Sequence, residues 1–135
     1  MTARADRRIL LADDEPALRF IVAQALSKLG AEVRIAEDGQ EAYEVAQGWR
    51  PHLVVADYQM PRLDGLGLAR ALHADPGLSL TPVLMLTARS HKLTPSDLGH
   101  TRIAGVLAKP FSARDLQAQA GELLDASPVD LDLAG

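Results

Sequence analysis

Four short apolar runs in the sequence each end in a side chain that can do chemistry. Ile9 to Ala12 stops at Asp13 and Asp14, Leu53 to Ala56 at Asp57, Val83 to Leu86 at Thr87, and Gly105 to Ala108 at Lys109. In an open parallel α/β sheet, ligands bind outside the carboxyl ends of the strands. If the runs are strands, these groups converge on one edge. Three carboxylates gathered there repel by about 4 kcal/mol per pair at 4 Å with an effective dielectric near 20. Something positive must hold them together. Hard oxygen donors with few protein contacts suit Mg²⁺ or Mn²⁺; Mg²⁺ keeps several waters and accepts a phosphate oxygen. With Lys109 as a second cation and Thr87 as a hydroxyl donor, the edge suits a phosphoryl group bound around an aspartate nucleophile.

The rest of the chain supplies the elements this arrangement needs. Apolar runs alternate with segments of helical period, the pattern of five βα units around a buried parallel sheet, an α/β fold in a single domain. Pro16 suits the first turn of a helix, where its missing N–H would be unpaired anyway. Leu18, Ile21, Val22, Ala25, Leu26 and Leu29 follow as one inward face, closed by Gly30. A weaker strand, Val33 to Ala36, leads through Asp38-Gly39 into a helix that turns Ala42, Val45 and Ala46 inward and ends at Gly48. Beyond Pro61, Leu66, Ala69 and Leu72 give a third stripe, broken by Asp75-Pro76-Gly77. Thr94-Pro95-Ser96-Asp97 can start a fourth helix, but Gly99 follows almost at once, so it is short or distorted. The last helix has Ser112 as cap, Asp115 where a capping-box partner belongs and Phe111 as a staple to Leu116, and runs to about Asp125. Residues 1–7 thus read as an N-terminal extension, 8–125 as the domain and 126–135 as a flexible tail or linker stub.

Composition narrows the function classes. The chain has 135 residues and no cysteine, which excludes disulfides, zinc-thiolate sites and thiol catalysis and fits a reducing compartment. A net charge of -4 leaves no broad basic surface for direct nucleic-acid contact. Met1 to Arg8 is polar where a signal peptide would be apolar, and no run approaches ~20 apolar residues. A soluble, cytoplasmic protein without membrane contact is the expectation. His52, His73, His91 and His100 show no ligand spacing and read as surface or loop residues. Trp49, Phe20 and Tyr43 read as packing groups. Gly65-Leu66-Gly67 lacks the third glycine of a dinucleotide fingerprint, and there is no P-loop. The bland readings of the chemical residues are a helix cap for Asp13-Asp14, a strand-end hydroxyl for Thr87 and a solvated lysine for Lys109. Asp57 fits a bland reading least, because a buried apolar strand gains nothing from ending in an unpaired carboxylate.

Taken in order, Asp13-Asp14, Leu53-Val54-Val55-Ala56-Asp57 with Met60-Pro61 and Asp64-Gly65, Thr87-Ala88 and Lys109-Pro110-Phe111 resemble the receiver domains of two-component response regulators, over about Arg8 to Asp125. The resemblance implies a doubly wound, CheY-like parallel sheet of five strands in the order 2-1-3-4-5, with helices on both faces. It implies that Asp57 accepts a phosphoryl group from a histidine kinase or histidine phosphotransfer protein, in a Mg²⁺-dependent reaction that switches partner binding. On the family's pattern Asp57 is phosphoacceptor and metal ligand, Asp14 a direct ligand and Asp13 a ligand through water. The backbone carbonyl of Gln59 completes the protein's share. Thr87 and Lys109 would each hold a phosphoryl oxygen, and the Lys109-Pro110 peptide would be cis. Gln59 and Arg89 would lie near the path of the water that removes the phosphoryl group. The covalent chemistry implied is self-phosphorylation and autodephosphorylation, not turnover of a separate substrate.

Two departures from that pattern stand out. Val106 occupies the place of an aromatic switch residue, and the fourth helix lacks its usual alanine-rich pattern. The face of helix four, strand five and helix five carries output or dimer contacts in the family, so partner rules, including any homodimer, are expected to differ here. Two other functions compete with the phospho-switch. One is a receiver-like interaction module that binds metal or a partner but signals without phosphorylation. The other is a hydrolase with Asp57 as nucleophile, for which the chain has little room for a substrate pocket or cap. No output segment is recognisable after the last helix, which leaves a stand-alone receiver and a piece of a longer regulator both open.

Overall fold

A computed structural model describes residues 3–88 and 93–129. Among them, five strands form one parallel sheet: β1 (Arg8–Ala12), β2 (Glu32–Ala36), β3 (Leu53–Asp57), β4 (Val83–Ala88) and β5 (Ile103–Lys109), in the order β2-β1-β3-β4-β5. The helices between and after them are α1 (Pro16–Ser27), α2 (Gly39–Trp49), α3 (Gly65–Ala74), α4 (Pro95–Gly99) and α5 (Ala113–Asp125). The CheY-like order expected from the resemblance is the order found.

The continuous apolar runs exist because the sheet is covered on both faces. Successive strand side chains point to opposite sides, so Ile9, Leu11, Leu53 and Val55 join Val22 and Leu26 of α1 and Leu116 and Leu124 of α5 in one core. Leu10, Ala12, Val54 and Ala56 join Ala42 and Ala46 of α2 and Leu68 and Leu72 of α3 in the other. Each fully buried leucine among these contributes about 1.5–3 kcal/mol relative to exposure. Every residue of β3 is buried, which pins the strand that ends in Asp57.

Helix ends follow their caps. Asp38 accepts from the Glu41 N–H, Asp64 from Gly67 and Ser112 from Asp115, each satisfying a donor the first turn leaves open. Phe111 packs in the same core as Leu116, as a staple would. The short fourth helix is confirmed: α4 has five residues, none buried, and a complete capping box between Thr94 and Asp97.

Several expectations are corrected. Ile21 and Phe20 are 60% and 62% exposed, because α1 packs through a narrower stripe of Val22, Ala25 and Leu26. Tyr43 and Trp49 do pack against the second core. Helix α2 does not stop at Gly48 but runs to Trp49 and is closed by Arg50 in a left-handed conformation, φ 53°. His52 is not a surface residue: it is buried, and its Nδ1 accepts the Arg8 N–H at 3.0 Å. The segment after α5 is packed at its start, with Ser127 and Val129 buried, and the N-terminal segment is tied to α5 by the Arg4–Asp125 ion pair at 2.7 Å. Arg89, His91 and residues 130–135 lie outside the described residues.

Candidate functional site

Strand register assembles the site. Ala12 pairs with Ala56, so the next residues, Asp13 and Asp57, leave the sheet side by side. Asp57 pairs with Leu86, and Leu86 with Leu107, which sets Thr87 one residue and Lys109 two residues further along the same edge. The Lys109-Pro110 peptide is cis, and the Lys109 Nζ lies 2.9 Å from Asp57 Oδ1. Carboxylate oxygens of Asp13, Asp14 and Asp57 all fall within 4.8 Å of one another.

The three acids differ in setting. Asp14 is exposed, while Asp13 and Asp57 are buried. Asp13 Oδ1 accepts the Glu15 N–H at 3.0 Å, and Oδ2 is buried with no hydrogen-bond partner among the described residues. Burial pushes the Asp13 carboxyl above the ordinary carboxylate value; the Glu15 N–H opposes this, the Asp57 charge adds to it, Lys109 opposes it, and Asp14 adds to it. The cap reading of the acidic pair fails on geometry: the residue before α1 is Glu15, and it makes no side-chain cap bond. A buried, unpartnered carboxylate oxygen beside two further carboxylates and one ammonium suits a hard divalent cation, which takes oxygen ligands and offsets the excess negative charge.

Other residues fall around this centre in different ways. The Thr87 hydroxyl is buried on the same edge and donates to the Ala88 carbonyl at 3.1 Å. Gln59 is exposed, two residues beyond Asp57. Val106 is 43% exposed on β5, where it pairs with Met85 of β4.

Two supporting residues escaped the sequence reading. Arg19 Nη1 donates to the Asp13 backbone carbonyl at 3.1 Å, bracing the loop that carries the acidic pair. Its signal was one turn of helix beyond Glu15, but surface arginines at such positions are common. Gly65 starts α3 against the end of β3. A Cβ there would stand 2.5 Å from the Asp57 carbonyl oxygen and 2.7 Å from Met85 Sδ, so only glycine allows this approach. The sequence shows Asp64-Gly65 as part of a motif but not this close approach, which is the reason for the glycine.

Comparison with known proteins identifies the family. The response regulator receiver domain family matches residues 9–120, and the chain belongs to that family, a class of signalling domains. It is 38% identical over 121 residues to the probable transcriptional regulator ycf27 of Cyanophora paradoxa, covering 87% of this chain and 48% of that protein. With the response regulator MprA of Mycolicibacterium vanbaalenii it shares 39% identity over 130 residues, covering 91% and 52%. The chain spans about half the length of these curated relatives. Among solved structures, the chemotaxis response regulator CheY4 of Vibrio cholerae superposes with a TM-score of 0.79 at 29% identity, covering 87% of this chain and 98% of that one. The receiver domain of sensor histidine kinase PA1611 from Pseudomonas aeruginosa, solved with a magnesium ion in its active-site cleft, gives 0.78 at 27% identity, covering 89% and 98%.

Proposed function

We propose that residues 8–125 are a phosphorylatable receiver: Asp57 accepts a phosphoryl group from a histidine kinase or histidine phosphotransfer protein, and the acylphosphate changes which downstream protein or output domain is bound. The observation that carries this reading is the Asp13 carboxylate, buried with one oxygen unpartnered beside Asp57 and Asp14. A purely structural role gives no return for that desolvated anion. Asp14, Asp57, the Gln59 carbonyl and, through water, Asp13 would hold Mg²⁺ or Mn²⁺. When bound, the ion neutralises charge on the phosphoryl oxygens.

The chain's own groups do the rest. An Asp57 carboxylate oxygen forms the new O–P bond in line as the donor's P–N bond breaks, and the departing imidazole keeps the electron pair of that bond and takes up a proton. Lys109, already on Asp57, neutralises one phosphoryl oxygen, and the Thr87 hydroxyl turns from the Ala88 carbonyl to donate to another. Water attack at the same phosphorus reverses the modification, with Gln59 and Arg89 setting its rate. The reading places the domain in the cytoplasm with protein partners. A non-phosphorylated interaction module gains support from Val106, which has no ring to relay a threonine shift; the acidic pair, Asp57, Thr87 and Lys109, which together suit a phosphoryl group, argue against it.

Intact-mass measurement after incubation with acetyl phosphate tests the proposal. The wild type gains one phosphoryl mass with Mg²⁺ and none with EDTA, and Asp57→Asn gains none. Absence of the gain both from acetyl phosphate with bound Mg²⁺ and from a phosphorylated histidine donor would move the interaction-module reading to first place.

A further inference from the structure

The sheet ends at β2, and among the described residues no strand continues it beyond that edge. The Glu32 N–H donates to the Arg7 carbonyl, and the Ala36 carbonyl accepts from Asp13, so alternate residues of β2 turn their backbone groups inward. Val33 and Ile35, which alternate with them, turn theirs outward. An edge of this kind is a template for pairing with another chain. Beside it, on the α1 face, lies a groove of about 310 Å³ walled by Phe20, Ala23, Val33 and Ile35. Phe20 is 62% and Ile35 44% exposed.

We propose that this edge joins a second copy of the chain, β2 against β2, antiparallel about a twofold axis through Val33. Charge identifies both the occupant and the register. Centred on Val33, the pairing sets Glu32 opposite the second copy's Arg34, and Arg34 opposite its Glu32. Centred one residue further on, it would set two Arg34 side chains face to face, and like charges directly opposite destabilise a ladder. A patch that complements itself in this way is what an isologous contact requires. Within one chain the Arg34–Glu32 pair is long, 3.7 Å, and more than half exposed on both sides, so it contributes little and leaves both charges available. Arg34 lies over the Trp49 ring, 4.6 Å from its centroid, which holds the guanidinium at the edge. An axis normal to the sheet keeps both α1 helices on one side, so Phe20, Val33 and Ile35 of the two copies meet in a single apolar seam. The contact lies at the opposite edge from β5 and does not depend on the phosphoryl-site reading.

Sedimentation velocity from about 1 μM to about 1 mM reads the association, with circular dichroism to show that each variant is folded. The wild type dimerises reversibly. Arg34→Glu and Glu32→Arg each weaken the dimer by about tenfold or more, because two opposite-charge pairs become like-charge pairs. An equimolar mixture of the two variants restores association, since every facing pair is again opposite in charge. Phe20→Ser weakens the dimer without a loss of fold. A wild type that stays monomeric throughout the range overturns the proposal. So does a dimer indifferent to both charge reversals, or a mixture that associates no better than its components.

Discussion

Replacing Asp13 with asparagine removes one negative charge from the floor of the carboxylate cluster while keeping the shape of the side chain. With carboxylate oxygens no more than 4.8 Å apart and an effective dielectric near 20, the Asp13 and Asp57 charges repel by about 3.5 kcal/mol or more. Lys109, 2.9 Å from Asp57, offsets part of this, and Asp14 adds little because it is exposed and screened. The metal-free Asp13→Asn chain should therefore be more stable than the wild type by about 1–2 kcal/mol, a rise in Tm of roughly 3–8 °C. The pH dependence has a definite sign. Burial holds the Asp13 pKa above its ordinary value of 3.8, so the folded chain keeps a proton that the unfolded chain has released. That contribution to stability is full below the unfolded pKa and is lost as pH rises through the folded one. The wild type in EDTA should lose stability with rising pH from about 3.8 upward, and the asparagine variant should lack that component. With Mg²⁺ at about 100 times its Kd, the wild type gains about 2.7 kcal/mol, the variant much less, and the order of stabilities inverts. Thermal unfolding by circular dichroism in EDTA and in Mg²⁺ measures all three effects. An asparagine variant that unfolds below the wild type in EDTA, or gains equally from Mg²⁺, would refute the account of Asp13.

Two further substitutions probe the neighbouring contacts. Gly65→Ala forces a methyl group against the Asp57 carbonyl and Met85 and should cost about 1–3 kcal/mol, read as a lower denaturant midpoint with an unchanged slope. Lys109→Met leaves the Asp57 carboxylate without its cation. It should lower metal-free stability by about 1–3 kcal/mol, tighten Mg²⁺ binding measured by calorimetry, and slow phosphoryl uptake from acetyl phosphate about a hundredfold.

The parts of the molecule legible in the sequence were those set by local rules. Continuous apolar runs gave the strands of a sheet buried on both faces, and the caps at Asp38, Asp64 and Ser112 are short-range hydrogen bonds whose partners lie three residues away. The site was legible because strand ends converge, so Asp13, Asp57 and Lys109 could be grouped before any distance was known. What escaped depended on packing geometry. Five apolar positions of α1, with Leu29 just beyond it, fit a helical stripe, yet the sheet has room for a narrower one, which leaves Ile21 outside. His52 looked like a loop histidine because nothing local reveals that the Arg8 N–H comes to its ring. Arg50 ends α2 in a conformation usually left to glycine, while Gly48 has open space where a Cβ would go. The close approach of Gly65 to Asp57 is likewise a fact about two elements meeting, which neither segment records alone.

The five-residue α4 divides the molecule into regions that resist opening by very different amounts. It buries no residue of its own and is held by its capping box, the Arg70–Asp97 pair at 2.9 Å and the Thr101 hydroxyl on the Asp97 carbonyl. These few contacts are what the turn loses on unwinding, and the two cores remain intact. Its amide hydrogens should therefore exchange with solvent through local opening at a small free-energy cost, while those of β3, buried throughout, exchange only with global unfolding. A partner that binds this surface can refold the turn into another shape without drawing on the stability of the sheet.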